Sequence, residues 1–126
     1  MTHVLDASAV MAVMLNEPGA EQISTEGRLY HLSAVTLGEI YTKVIERGGD
    51  PADVDIVINA LPIRIRRFDE VQAREVGLLR PLTMSLGRSF GDRASLALAR
   101  LIRLPVLTAD KKWAELDIGV DIRLIR

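Results

Sequence analysis

The chain has 126 residues, 48% hydrophobic and 26% charged, with a formal net charge of -1. That size suits one domain with a real core and not two, and the composition excludes both a disordered chain and one that coats nucleic acid through bulk positive charge. The absence of cysteine excludes disulfides and thiolate metal sites. No hydrophobic leader or bilayer-length apolar run occurs, so the expectation is a single domain over 1–126, cytoplasmic and without membrane contact.

His3-Val4-Leu5 reads as a short apolar strand, with Asp6-Ala7-Ser8 leading into a helix over 9–15. Pro18 favours a second short helix to Glu26, ended by Gly27. Arg28 to Leu32 forms the next strand. Ser33 then caps a helix from Ala34 to about Arg47, which Gly48-Gly49 stops. Asp50-Pro51 opens a helix to about Leu61, and Ile63-Arg64-Ile65-Arg66 alternates like an edge strand with one wet face.

Asp69 to about Met84 is helical, bent or shortened by Pro81, and Ser85 to Gly91 is a loop. The next helix, Asp92 to Arg103, is apolar around most of its circumference and should lie in the core, anchored by Leu96, Leu98 and Leu101. Pro105 leads into the continuous apolar strand Val106-Leu107, and Asp121 to Ile125 alternates like a second edge. Strands alternating with helices predict a parallel α/β sheet covered on both faces. The two fully apolar strands should be central neighbours, with a ligand crevice at their carboxyl ends, just where Asp6 and Asp110 fall.

Each carboxylate also has a plain structural role open to it. Asp6 can cap the helix that follows, and Ser89 with Asp92 has the spacing of a capping box. Asp110, followed by Lys111 and Lys112, can belong to a solvated turn with Thr108 as cap and Trp113 behind it. Glu39 lies off the stripe of Leu37, Ile40, Tyr41 and Val44, so periodicity makes it a surface partner of Lys43. Together, however, these acids would gather negative charge in one crevice, and unneutralised carboxylates repel until one takes up a proton. A hard divalent cation, Mg2+ or Mn2+, resolves that conflict and can activate water for phosphodiester hydrolysis.

Val4-Leu5-Asp6-Ala7-Ser8-Ala9-Val10, Gly38-Glu39-Ile40, Gly91-Asp92-Arg93-Ala94-Ser95-Leu96-Ala97-Leu98-Ala99 and Leu107-Thr108-Ala109-Asp110 resemble, in order, the motifs of PIN-domain ribonucleases. The resemblance is greatest to VapC-type toxins of toxin–antitoxin pairs and spans essentially the whole chain. It implies a three-layer α/β/α sandwich with a central parallel sheet of about five strands, and metal-dependent cutting of RNA. It further implies a homodimer and a small antitoxin protein that blocks the cleft. Carried over by position, Asp6, Glu39, Asp92 and Asp110 are the acidic, metal-binding and catalytic set, with Ser8 supporting Asp6. On Glu39 the resemblance and the periodicity disagree, and the resemblance is followed.

Arg93, Lys111 and Lys112 are candidate RNA contacts, and Arg88 and Arg100 accompany them, although solvated surface charges look the same in sequence. His3 and His31 read as core or edge residues rather than ligands. Trp113, Tyr30 and Tyr41 are too scattered for a base-stacking platform. Of the competing classes, a receiver-like regulatory domain needs a phosphorylatable aspartate after a central strand, whereas Asp69 follows an edge. A haloacid-dehalogenase-type phosphatase needs an acid two residues after the first, where this chain has Ser8. The remaining alternative is a non-catalytic α/β interaction module.

Overall fold

A computed structural model describes residues 2–24, 26–86 and 89–126. Arg88 therefore lies outside the described residues. Five short strands form one sheet: β1 (Thr2–Leu5), β2 (Leu29–Ser33), β3 (Ile63–Arg66), β4 (Val106–Thr108) and β5 (Ile122–Leu124). The order is β3-β2-β1-β4-β5, every pair parallel. The apolar strands β1 and β4 are central neighbours and the arginine-bearing strands are the edges, as patterning requires. Direction of travel reverses between β1 and β4, opening the crevice at their carboxyl ends.

Five α-helices cover the sheet: α1 (Ala7–Met14), α2 (Ala34–Glu46), α3 (Pro51–Ala60), α4 (Glu70–Leu79) and α5 (Phe90–Ile102). Successive strand residues point to opposite faces, so the core divides in two. Leu5, Tyr30, Leu32 and Leu107 pack under α1, α2 and α3. Val4 and Val106 pack under α4, α5 and Trp113, the last fully buried. The result is a three-layer α/β/α sandwich.

Caps set the helix starts. The side chains of Ser33, Asp50, Asp69 and Ser89 accept from the amides of Val35, Ala52, Gln72 and Asp92, satisfying donors that a first turn leaves open. Asp69 is thus used as a cap beside an edge strand, which removes the basis for a receiver-like phosphoacceptor.

Two local expectations need correction, at Pro18 and at Leu101. The helix expected over Pro18 to Glu26 is only a 3-10 turn at Ala20–Gln22. Gly19 sits at φ 95° with its Cα against the Ile125 carbonyl, and that left-handed residue prevents an α-helix from running through. The helix that follows Asp69 is shortened as Pro81 requires, stopping at Leu79 and giving way to a 3-10 segment, Pro81–Leu86, kinked at Thr83, because Pro81 brings no amide donor. Leu101 does not anchor α5: it is 38% exposed, whereas Ala94, Leu96, Ala97, Leu98 and Ala99 are buried. The two edge strands are also less regular than alternation implies, since Ile65 and Leu124 are more than a third exposed. His3 and His31 are buried in β1 and β2 and touch Arg123 and Arg66 of the edge strands.

Candidate metal centre at the switch point

Asp6 follows the last residue of β1, and its amide donates to the Leu107 carbonyl of β4 at 3.0 Å. It stands at the N-cap of α1 but makes no side-chain capping bond. Its Oδ2 instead accepts from the Ser8 hydroxyl at 2.8 Å and the Thr108 hydroxyl at 2.9 Å. The Ser8 hydroxyl also accepts from the Ala109 amide at 2.9 Å, so β1, α1 and β4 are fastened around one carboxylate oxygen. Oδ1 is buried with no hydrogen-bond partner. Burial pushes the Asp6 carboxyl above the ordinary range, against the pull of those two hydroxyls.

Glu39 reaches the same region from α2. Lys43 is beside it, at 4.0 Å from Oε1, which is too long for a hydrogen bond. Oε1 has no hydrogen-bond partner, and burial raises the carboxyl despite the lysine, with Asp6 adding to the rise. The other side of Glu39 lies against Gly91 in the first turn of α5: a Cβ there would fall 2.6 Å from the Glu39 carboxyl carbon. Glycine at 91 is what lets the glutamate approach Asp92. One helical turn away, the buried Thr36 and Ser95 hydroxyls meet at 2.8 Å and tie α2 to α5. Thr36 precedes Glu39 by three residues and Ser95 follows Asp92 by three, so this contact fixes the spacing of the two acids.

Asp92 occupies the first turn of α5, where the amide ends favour negative charge. Burial still dominates, and with the negative charges of Asp6, Glu39 and Asp110 it pushes the Asp92 carboxyl up to about 7. Asp110 is the most committed of the four. Its Oδ1 accepts from the Lys112 amide at 3.0 Å, capping the 3-10 turn Lys111–Glu115, while the Thr108 hydroxyl accepts from the Asp110 amide.

The donor chemistry suits a hard divalent cation: oxygen atoms only, two of them buried and unpartnered, with burial raising Asp6, Glu39 and Asp92 and neighbouring acids adding to the rise at Glu39 and Asp92. Among the described residues no three His, Cys, Asp or Glu side chains converge closely enough to enclose an ion. The acids are thus coupled through space without already forming a coordination shell.

The basic candidates separate. Arg93 is held inside the α4–α5 packing, its guanidinium 3.2 Å from the Val76 carbonyl and over the Phe90 ring, and Arg100 pairs with Glu75 at 3.3 Å. Lys111 and Lys112 are exposed beside Asp110. Thr108 joins the candidate site through its hydroxyl on Asp6, whereas its place in the sequence marks only a turn cap. Its position opposite Asp6 depends on the β1–β4 register, in which Leu5 pairs with Leu107.

A doubly wound parallel sheet with carboxylates at its switch point defines a class of acidic-site α/β proteins, and comparison narrows it. The PIN domain family model matches residues 3–119, and the chain belongs to that family. The fold is similar to that of VapBC2 from Rickettsia felis bound to a DNA fragment from its promoter, with TM-score 0.76, 14% identity and 98% of each chain covered. DNA-bound VapBC from Salmonella typhimurium gives TM-score 0.75 at 18% identity, covering 100% of this chain and 99% of that one. VapC20 from Mycobacterium tuberculosis, a sarcin-ricin loop cleaving toxin, gives 0.73 at 18% identity over 96% and 99%. No curated protein matches the sequence.

Proposed function

We propose that this protein is a metal-dependent endoribonuclease of the VapC toxin type, acting at the crevice formed by Asp6, Glu39, Asp92 and Asp110. The observation that carries this reading is the clustering of acids at the switch point, with Asp92 pushed up to about 7 by burial first and by its three acidic neighbours second and one oxygen each of Asp6 and Glu39 buried and unpartnered. Mg2+ or Mn2+ held by these four residues would supply a water of lowered pKa and positive charge for a phosphoryl oxygen. The protein's own contribution is positional. Ser8 and Thr108 hold Asp6 through Oδ2 and leave Oδ1 without a protein partner; Gly91 admits Glu39; Ser89 starts α5 so that Asp92 lies in its first turn.

The partner follows from the same reading. An apolar groove of about 450 Å³ between α1, α2 and α3, lined by Met11, Met14, Leu15, Ile56 and Val57, suits an amphipathic segment of a small antitoxin. Leu78, Leu82, Met84 and Phe90 form an exposed apolar face around α4 and the start of α5, which suits a second copy of the chain in a homodimer. No described helix is long and apolar enough to cross a membrane.

The test is cleavage of single-stranded and loop RNA by protein freed of any partner. Cutting should require Mg2+ or Mn2+, and Asp92→Asn should reduce it by orders of magnitude while leaving the circular dichroism spectrum unchanged. Undiminished cutting in chelator would exclude the metal mechanism. Failure to cut any RNA, with no cation binding by calorimetry, would make the protein a non-catalytic interaction module. Overproduction should arrest growth unless the partner is co-expressed.

A further inference from the structure

A pocket of about 220 Å³ opens beside the acids, between α1, α2 and the last residue of the chain. Met11 and Leu15 form its apolar side, and Ser8, Glu17, Lys43, Arg47 and Arg126 bring the polar groups. Three cations against one carboxylate leave a net charge of +2 here (3 − 1), in a chain whose total is -1. Two of the cations are partly engaged: Arg126 with Glu17 at 3.6 Å and the Pro18 carbonyl at 3.0 Å, and Lys43 with Glu39 at 4.0 Å. The Arg47 side chain makes no hydrogen bond or ion pair among the described residues.

The pocket joins the acidic crevice at two points. Ser8 lines it and donates to Asp6, and Lys43 lines it and faces Glu39. We propose that this pocket is a subsite for a backbone phosphate of RNA next to the one that is cut, with Arg47 as its principal contact. The inference rests on the ribonuclease reading and extends it to how the substrate is seated. An RNA strand approaching four carboxylates meets a repulsive field, and a cationic recess at the edge of that field gives a neighbouring phosphate a favourable position. A guanidinium offers the planar pair of donors that phosphate accepts, and Met11 and Leu15 give the adjoining sugar an apolar wall. A contact of this kind fixes register without reading sequence.

The experiment compares wild type with Arg47→Glu and Arg47→Lys on short single-stranded RNAs, with melting curves to verify folding. Arg47→Glu should raise KM by roughly 10-fold or more, as loss of a charged hydrogen bond implies, with a smaller change in kcat, and Arg47→Lys should restore part of it. The slope of log affinity against log salt should become shallower by about 0.7 for one lost contact. A methylphosphonate placed at successive positions should weaken wild type at one position flanking the cut and have no such effect in Arg47→Glu.

If wild type cleaves RNA and Arg47→Glu matches it in KM, salt slope and methylphosphonate profile, the subsite is overturned while the ribonuclease reading stands. If wild type cuts nothing but binds the RNA by fluorescence anisotropy in an Arg47-dependent way, the ribonuclease reading falls and the phosphate site remains. If wild type neither cuts nor binds RNA, both are overturned.

Discussion

Among single residues, Gly91 and Glu39 illustrate how a site can be hidden from periodicity. Periodicity alone puts Glu39 at the surface, outside the apolar stripe of α2 and beside Lys43, whereas the resemblance puts it in the acidic set. The apolar stripe omits Thr36, however, and that threonine is fully buried against Ser95. Once it is included, Glu39 flanks the side of α2 that meets α5. Gly91→Ala tests the contact directly. The added methyl would displace the end of the Glu39 side chain and not backbone, so melting temperature should change by only a few degrees, while RNA cleavage falls at least ten-fold. Retention of full activity would show that Glu39 need not approach Asp92. Ser8 was identified as support for Asp6 through resemblance alone, because an interaction two residues along the chain depends on the turn between strand and helix.

Among elements, the α2–α5 pair and the α4–α5 pair carry different burdens. Thr36 and Ser95 join the first through one buried hydroxyl bond. Removing one partner leaves the other unsatisfied, at about 1–3 kcal/mol, whereas replacing both with apolar groups of similar shape is far less costly. Ser95→Ala should therefore destabilise the protein by that amount in urea melts and lower cleavage by loosening Glu39 against Asp92. The double variant Thr36→Val with Ser95→Ala should recover stability; an additive loss would show that the two hydroxyls act separately. The α4–α5 pair is held by Arg93 and Arg100, which reach the Val76 carbonyl and Glu75. Their spacing of seven along α5 was legible in sequence, but which neighbour they would face was not. Helix starts were largely readable because Ser33, Asp50 and Ser89 act locally. The Pro18 segment misled because Gly19 is governed by a contact with Ile125, more than a hundred residues away.

At the scale of the whole molecule, the clustered acids make stability depend on pH. Asp92 is raised from 3.8 to about 7 on folding, so the folded state binds the extra proton across that interval and stability falls as pH rises through it. One proton contributes at most ~1.4 kcal/mol per pH unit. His3 and His31 act in the opposite sense, since burial beside arginines lowers them from 6.5, favouring the folded state as pH approaches that value from below. Comparison with Asp92→Asn removes the histidine contribution. In chelator, the variant should gain stability over wild type steadily between about pH 4 and 7 and level off above, and Mg2+ or Mn2+ should reduce the difference. Parallel curves for the two proteins would mean that Asp92 does not bear the accumulated charge.

The sequence by itself determined the order of elements, the parallel sheet and the placing of β1 and β4 at its centre, because burial on two faces leaves continuous apolar runs and edge exposure leaves alternation. It also placed Asp6 and Asp110 at adjoining strand ends, a consequence of their standing just after those runs. Tertiary structure decided the rest: that Thr108 faces Asp6, that Glu39 meets Gly91, that Arg47 lies uncommitted in a recess beside the acids, and that Leu101 is left at the surface. These depend on register and on helix-to-helix contacts, such as Thr108 with Asp6 and Glu39 with Gly91, that join residues far apart in the chain, and no local pattern encodes a distance between side chains that only packing brings together.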